Sequence, residues 1–278
     1  MKKSILTIIL ASALSLGVNA QVKLPQASSL TEVRQAVGIR NVTLKYSRPN
    51  TNGRVVFGEL VPYGAVWRTG ANTVSAFTFE EEVSIGGKKI PAGTYGLLTI
   101  PNKNEWTIIL SKNSQQWGSY TYKQEEDAVR FTVKPTTLPS KVETFTISFD
   151  NVTTKSSTVT ITWENTAVKF DINVDQSKEI LASIDQAMQG DKKPYFQAAQ
   201  YYFSNNLDIT KAAEWVIEAD KGNIEAPWIK YWKSQILLKS GDKKAAQQAA
   251  LEGLEIAKKS NNEEYIKLNT NALNNAKK

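Results

Sequence analysis

The feature that most constrains this chain is a change of hydrophobic period near Asp175. From about Asn41 to Val174 apolar residues alternate with polar ones. "VRFTVK" sets Val129, Phe131 and Val133 against Arg130, Thr132 and Lys134, and "TVTITWE" sets Val159, Ile161 and Trp163 against Thr158, Thr160 and Thr162. "EWTIIL" and "ETFTISF" behave similarly. A two-residue period predicts strands with one buried face, and Thr, Val, Ile and aromatic residues suit a pleated surface. Gly86-Gly87 in "VSIGGKKI" reads as a tight hairpin, and "PAGTY" and "DNVTTKSS" as longer connections. Eight or nine short antiparallel strands without an intervening helix imply an antiparallel β-sandwich or an open barrel, between which the pattern does not choose.

After Asp175 the period becomes helical. "SKEILASIDQAMQG" places Ile180, Leu181, Ile184, Ala187 and Met188 at helical spacing, with Asp175 or Ser177 to cap the start and Gly190 to end it. Pro194 and Pro227 each open a further helix, where a missing N–H costs little. Asp208 or Thr210, and Asp242, are candidate caps for two more, while Gly222 and Gly241 close their predecessors. A last helix runs from about Asn262 to the C-terminus. A shift of 34 residues carries Asp208 onto Asp242, Ala212 onto Ala246, Ile217 onto Leu251 and Ala219 onto Gly253. This helix-turn-helix repeat, over about Pro194 to Lys259, resembles a tetratricopeptide repeat. Because stacked repeats need neighbours, residues 177–189 and the final helix are expected to act as caps.

The N-terminus, "MKKSILTIILASALSLGVNAQ", joins two lysines, an apolar run and a small-residue site ending at Ala20, the plan of a secretory signal peptide. The expectation is export, to the periplasm or beyond, with cleavage after Ala20. No later stretch is long and apolar enough to span a bilayer. The formal charge of +7 falls to +5 without Lys2 and Lys3, and no basic block remains, so nucleic-acid binding is not expected.

The chain contains no histidine and no cysteine. That removes histidine-based triads, thiolate nucleophiles, imidazole bases and the usual zinc sites. Paired carboxylates remain, but Glu80-Glu81-Glu82 and Glu125-Glu126-Asp127 read as solvated strand ends or loops. Asp171, Asn173 and Asp175 in "DINVDQSKE" have calcium-loop spacing without its glycine or closing glutamate. A Ser-Lys dyad has no marker. No cofactor, metal site or catalytic residue is expected.

Only six of the 34 basic residues are arginine, and three of them, Arg48, Arg54 and Arg68, fall close together. Arginine offers a rigid planar fork for carboxylates and a face for stacking, and lysine offers neither. Arg68 follows Trp67 in "AVWRTG", so the two side chains point to opposite faces if the run is extended. Two roles compete for these arginines: pairing with Glu59, Glu80 or backbone carbonyls, or recognition of an anionic or polyhydroxyl small ligand.

The run "YSRPNTNGRVVFGELVPYGAVWRTGAN", followed by "IPAGTYGLLTIP" and "EWTIIL", closely resembles the exported bacterial proteins grouped as domain-of-unknown-function family 2911. The shared pattern extends from about Leu44 to Phe149. The resemblance implies a signal peptide, a Gram-negative envelope setting and, in some members, a continuation into tetratricopeptide-like helices. Its motif falls here on Ser47, Arg48, Pro49, Gly53, Arg54, Phe57, Gly58, Pro62, Tyr63, Gly64, Trp67, Arg68, Thr69, Gly70, Ala71 and Asn72, and it implies a catalytic role for none of them.

The expectation is therefore an α+β chain in two domains. A signal peptide at residues 1–20 and a linker at 21–40 precede a β-sandwich-like domain at 41–175 and an all-α, tetratricopeptide-like domain at 176–278. The expected function is non-catalytic binding. Arg48, Arg54 and Arg68 would take the ligand, Trp67 and Tyr63 would stack against it, and Asn72 would add hydrogen bonds. The helices would offer a surface to a protein or peptide. Two alternatives stay open: an interaction scaffold with purely structural arginines, and a carboxylate-based hydrolase acting on envelope glycans.

Overall fold

A computed structural model describes residues 24–278, so the expected leader lies outside the described residues. The chain divides into two units, one ending at Asp175 and one beginning at Gln176. The first unit is built from β1 (Ser29–Val37), β2 (Arg40–Arg48), β3 (Ser75–Phe79), β4 (Val83–Ile85), β5 (Lys88–Ile90), β6 (Gly93–Ile100), β7 (Trp106–Ser111), β8 (Asp127–Val133), β9 (Thr136–Asp150) and β10 (Ser156–Asn173). One sheet has the order β1-β2-β3-β6-β7-β8 and the other β5-β4-β10-β9. All pairings within the two sheets are antiparallel.

The two sheets share one core, which decides for a sandwich over a barrel. Leu44, Phe77, Leu97 and Ile108 from the first sheet meet Phe145, Ile161, Trp163 and Ile172 from the second. The alternation is kept in β10, where Val159, Ile161 and Trp163 are buried. The tight hairpin forms between β4 and β5, with Gly86 and Gly87 at φ 57° and 77°. That turn needs positive φ at both positions, which glycine adopts freely.

Two strand expectations change. Ten strands form, and residues 29–37, read as linker, make β1. Leu30 and Ala36 are exposed and only Val37 is fully buried, so this edge strand carries little apolar period and is held by its ladder to β2. The other difference is what does not form strands: the 26 residues Pro49–Val74 between β2 and β3 contain only isolated bridges. Connections of that length are uncommon and usually functional.

The second unit contains α1 (Ser177–Ala187), α2 (Tyr195–Ser204), α3 (Ile209–Lys221), α4 (Pro227–Lys239), α5 (Lys243–Lys259) and α6 (Glu263–Lys277). Asp208, Asp242 and Asn262 cap α3, α5 and α6 by accepting bonds from backbone N–H groups of the first turn. The start of α1 differs: Gln176 is its N-cap, with no side-chain capping bond, and the helix ends at Ala187, before Gly190. Pro194 is the N-cap of α2, and Pro227 is the first residue of α4. Each helix from α2 onward packs on the next, and α4 also touches α2 and α6. Ala212 and Ala246 are both fully buried, which permits close helix approach. Glycine replaces alanine at Gly253 because a Cβ there would lie 2.3 Å from Asn269 Oδ1. Leu181 and Ile184 of α1 pack against the core of this unit. Among the described residues, no helix is long and apolar enough to cross a membrane.

Helices α3, α4 and α5 are also tied by a buried ionic cluster. Lys230 Nζ lies 2.9 Å from Asp220 and 2.8 Å from Glu252, and Lys233 reaches Asp220 at 2.7 Å. Removing one member of a buried pair costs far more than the pair itself contributes, because the other charge is stranded. Lys230→Met should therefore destabilise the helical unit by about 3 kcal/mol in urea unfolding followed by helix ellipticity. Lys233→Met, whose side chain is more exposed, should cost distinctly less. Equal, small effects of both would show the cluster to be incidental.

Candidate functional site

The connection Pro49–Val74 has few strand bonds, so its conformation depends on anchors. Phe145 N–H donates to Pro49 O at 2.8 Å and Thr51 N–H to Glu143 O at 2.9 Å, fixing one end to β9. The Glu143 carboxylate accepts from Asn52 N–H at 2.8 Å and from the Thr51 hydroxyl. These bonds, the Thr51 hydroxyl first and the Asn52 amide second, hold the Glu143 pKa below the usual carboxylate range. Val56, Phe57 and Val61 are buried in the sandwich core.

The central anchor is Trp67. Its backbone pairs with Thr99 of β6 in both directions, at 2.7 and 2.9 Å. Its ring is 8% exposed, stacks on Trp163 at 5.8 Å and an interplanar angle of 16°, and meets Phe57, Trp106 and Phe145 edge-on. The indole N–H donates to Gly70 O at 3.1 Å. Truncating such a residue costs about 3–5 kcal/mol. That exceeds the roughly 1–3 kcal/mol cost of one unsatisfied polar group beside it.

Such a group is present. Arg68, next to Trp67, is half-buried and lines a cavity of about 400 Å³ whose wall also includes that tryptophan. Its Nε is buried without a hydrogen-bond partner, and among the described residues no hydrogen bond or ion pair reaches its guanidinium. The backbone around it is unusual, with Thr69, Gly70 and Asn72 at φ 54°, 145° and 60°. Gly70 is obligatory, since a Cβ would lie 2.9 Å from Ser47 O. Positive φ at non-glycine residues costs energy and tends to occur at functional sites.

The six candidate ligand residues separate. Arg54, Trp67, Arg68 and Asn72 line the Arg68 cavity, together with Ala27, Ser28, Pro49, Asn50, Asn52, Leu60, Val61, Gly70, Ala71 and Trp163. Arg48 does not. Its Nε donates to Phe145 O at 3.0 Å and its Nη2 to Thr146 Oγ1 at 2.8 Å, so it clamps β2 to β9. Tyr63 lines a different, smaller cavity with Phe57, Lys103 and Trp106. Arg54 sits between the two roles: Nε donates to Thr51 O and Nη2 to Asn50 O, which orders its own loop without neutralising its charge. Asn72 Nδ2 has three long approaches of 3.4–3.5 Å, to Gln26, Ser28 and Ser47, instead of one short bond. Trp67 forms a packed wall and does not offer a free face, because Trp163 covers one side. Trp163, Leu60 and Ser28 were not among the sequence candidates. Trp163 carries only a core-strand signal, and nothing local in the sequence brings it to Arg68.

The acidic clusters have other partners. Glu80 accepts from Arg34 and Asn41, Glu82 from Lys89, and Asp127 from Arg130 and Tyr122. Asp171 accepts from Thr158 at 2.7 Å. Among the described residues, no three acidic side chains converge as a metal site, and no carboxylate lines the Arg68 cavity. The cavity thus has two guanidinium groups and no acid, which suits an anion.

Arg48→Met should lower stability by about 1–2 kcal/mol, because the Phe145 carbonyl and the Thr146 hydroxyl lose their donor; thermal unfolding checks this. Glu143, with its lowered pKa, contributes stability above the ordinary carboxylate range, and that stability is lost as pH falls through its folded value. Acid-side melting curves should therefore fall less steeply in Glu143→Gln than in the native protein.

The family described as "Protein of unknown function (DUF2911)" matches residues 28–172, from just before β1 to near the end of β10. No curated protein and no solved structure matches the chain. The matched segment is more than half of the sequence and contains every residue of the cavity except Ala27; the chain belongs to family DUF2911.

Proposed function

We propose that this is an exported, non-catalytic binding protein of the bacterial envelope, which takes a small anionic ligand in the Arg68 cavity of its β unit. The supporting observation is the unpartnered Arg68 guanidinium, with its Nε buried, in a cavity without acids. A buried charged group normally has a partner. A ligand anion would supply it, with Asn72 adding a hydrogen bond and Arg54 adding charge. The helical unit is proposed as a tetratricopeptide-like surface for a protein or peptide. The equivalent caps Asp208 and Asp242 and the stacking of alternate helices support that part.

A second reading, an interaction scaffold with structural arginines, draws on Arg48 and Arg54, which both bond to backbone carbonyls. Arg68 separates the two. Under ligand binding, Arg68→Met leaves the melting temperature unchanged or raises it, because no internal bond is lost. Acetate, phosphate or another anion raises the melting temperature of the native protein but not of the variant. Under the scaffold reading, Arg68→Met loses several degrees and no anion shifts either protein.

A further inference from the structure

We infer that the β unit carries a second binding site, for a neutral oligosaccharide, in a groove on the outward face of its first sheet. The groove shares no lining residue with the Arg68 cavity, and the inference is independent of the anion reading above.

The groove follows from how that sheet is covered. Leu44, Phe77 and Leu97 face the core, so Thr43, Ala76, Thr78 and Thr94 stand on the outward face. The connection of residues 112–126, between β7 and β8, covers only part of this face. There Val74, Leu98 and Ile109 form a small second core with Tyr122. Gly96 lets the connection lie directly on β6, since a Cβ there would be 2.7 Å from Asn113 O. Val74 N–H donates to Gln116 O at 3.0 Å and Gly118 N–H to Asn72 O at 3.1 Å, which pins the connection in place. Beside it lies a groove of about 610 Å³, lined by Thr43, Ala76, Thr78 and Thr94 from the strands and by Ser114 and Gln115 from the connection. That volume is within the range of small-molecule sites.

The lining is rich in hydroxyls and balanced in charge. Thr43, Thr78 and Thr94 stand in register across β2, β3 and β6. The Thr78 and Thr94 hydroxyls share one bond at 2.9 Å, which leaves one hydrogen and three lone pairs for a ligand. Among the described residues, no hydrogen bond reaches the side chains of Thr43, Ser114 and Gln115. The two charged residues of the groove, Glu32 and Lys45, lie opposite each other and pair at 3.9 Å. The groove therefore has no net charge for an ion to answer, and its hydroxyls and amide suit an uncharged polar molecule.

Two exposed aromatic residues belong to the same connection. Trp117 is 65% exposed, whereas the other three tryptophans of this unit are at most 8% exposed. Its backbone forms an antiparallel bridge with Thr73, a groove residue, which places it at the rim. Tyr120 is 85% exposed, and its ring lies against Gly118, where a Cβ would come within 2.6 Å of it. Exposed aromatic surface of this kind marks recognition sites. A sugar ring sets its C–H face on such a side chain while its hydroxyls bond to polar groups, so a chain of sugars uses both the rim and the groove.

The test is isothermal calorimetry on the full chain with glucose, maltohexaose, cellohexaose, chitohexaose and a hexamer of galacturonic acid. At least one neutral hexasaccharide should bind, at least tenfold tighter than glucose or the acidic hexamer. Trp117→Ala should weaken that binding at least tenfold without lowering the melting temperature, since the indole is largely in water. Thr78→Val, of nearly the same shape, should weaken it severalfold. Arg68→Met should leave it unchanged, which separates this site from the anion cavity. Binding indifferent to both Trp117→Ala and Thr78→Val would overturn the site. Tightest binding of the acidic hexamer would overturn the neutral ligand. Heat from none of the neutral hexasaccharides would overturn the inference while leaving the Arg68 reading as it stands. A concentration-dependent dimer that Trp117→Ala abolishes, without saccharide binding, would overturn it too and assign the face to a second copy of the chain.

Discussion

The β unit depends on the way one dipeptide is split between two environments. Trp67 is pulled inward by an aromatic cluster and locked by paired backbone bonds to Thr99. Its neighbour Arg68 lines a cavity whose wall includes the same tryptophan. Among the described residues, no internal acceptor draws the Arg68 guanidinium there. The free energy that holds the indole in place exceeds the cost of leaving the arginine unsatisfied, so the fold tolerates an open site.

The same division of labour runs through the other arginines. Arg48 closes the seam between β2 and β9, and Arg54 fastens the turn that Glu143 holds from below. Neither role needs a carboxylate partner, and backbone carbonyls leave the positive charge of Arg54 uncancelled in the cavity. The structural arginines therefore shape the electrostatics in which Arg68 sits. Chemistry by imidazole or thiolate is unavailable to a chain without histidine or cysteine, and recognition is the role proposed for this arrangement.

Much of the fold was legible because it rests on local rules. The period change near Asp175, the Gly86-Gly87 hairpin and the Asp208 and Asp242 caps are set by residues a few positions apart, and the structure has all of them. Strand β1 was missed because polar residues stand on both of its faces and only Val33 and Val37 turn to the core, which leaves no strong alternation in the sequence. The site was legible in part. Four of the six candidates line one cavity. The departures of Arg48 and Tyr63 were not readable, because Phe145 and Trp106, which decide their surroundings, lie far along the chain. Trp163 was hidden for the same reason.

The central claim is that the Arg68 guanidinium has no acceptor among the described residues. It is tested most directly by nitrogen-15 NMR of the arginine side chains in Arg-labelled protein. The account predicts that, without ligand, the Arg68 Nε–H lacks the downfield shift of a charge-assisted hydrogen bond. On titration with acetate or phosphate the Arg68 Nη signals move downfield and their exchange with water slows, while the Arg48 and Arg54 signals stay close to their starting positions. An Arg68 Nε–H already shifted downfield in the free protein, with Nη signals indifferent to either anion, would contradict it.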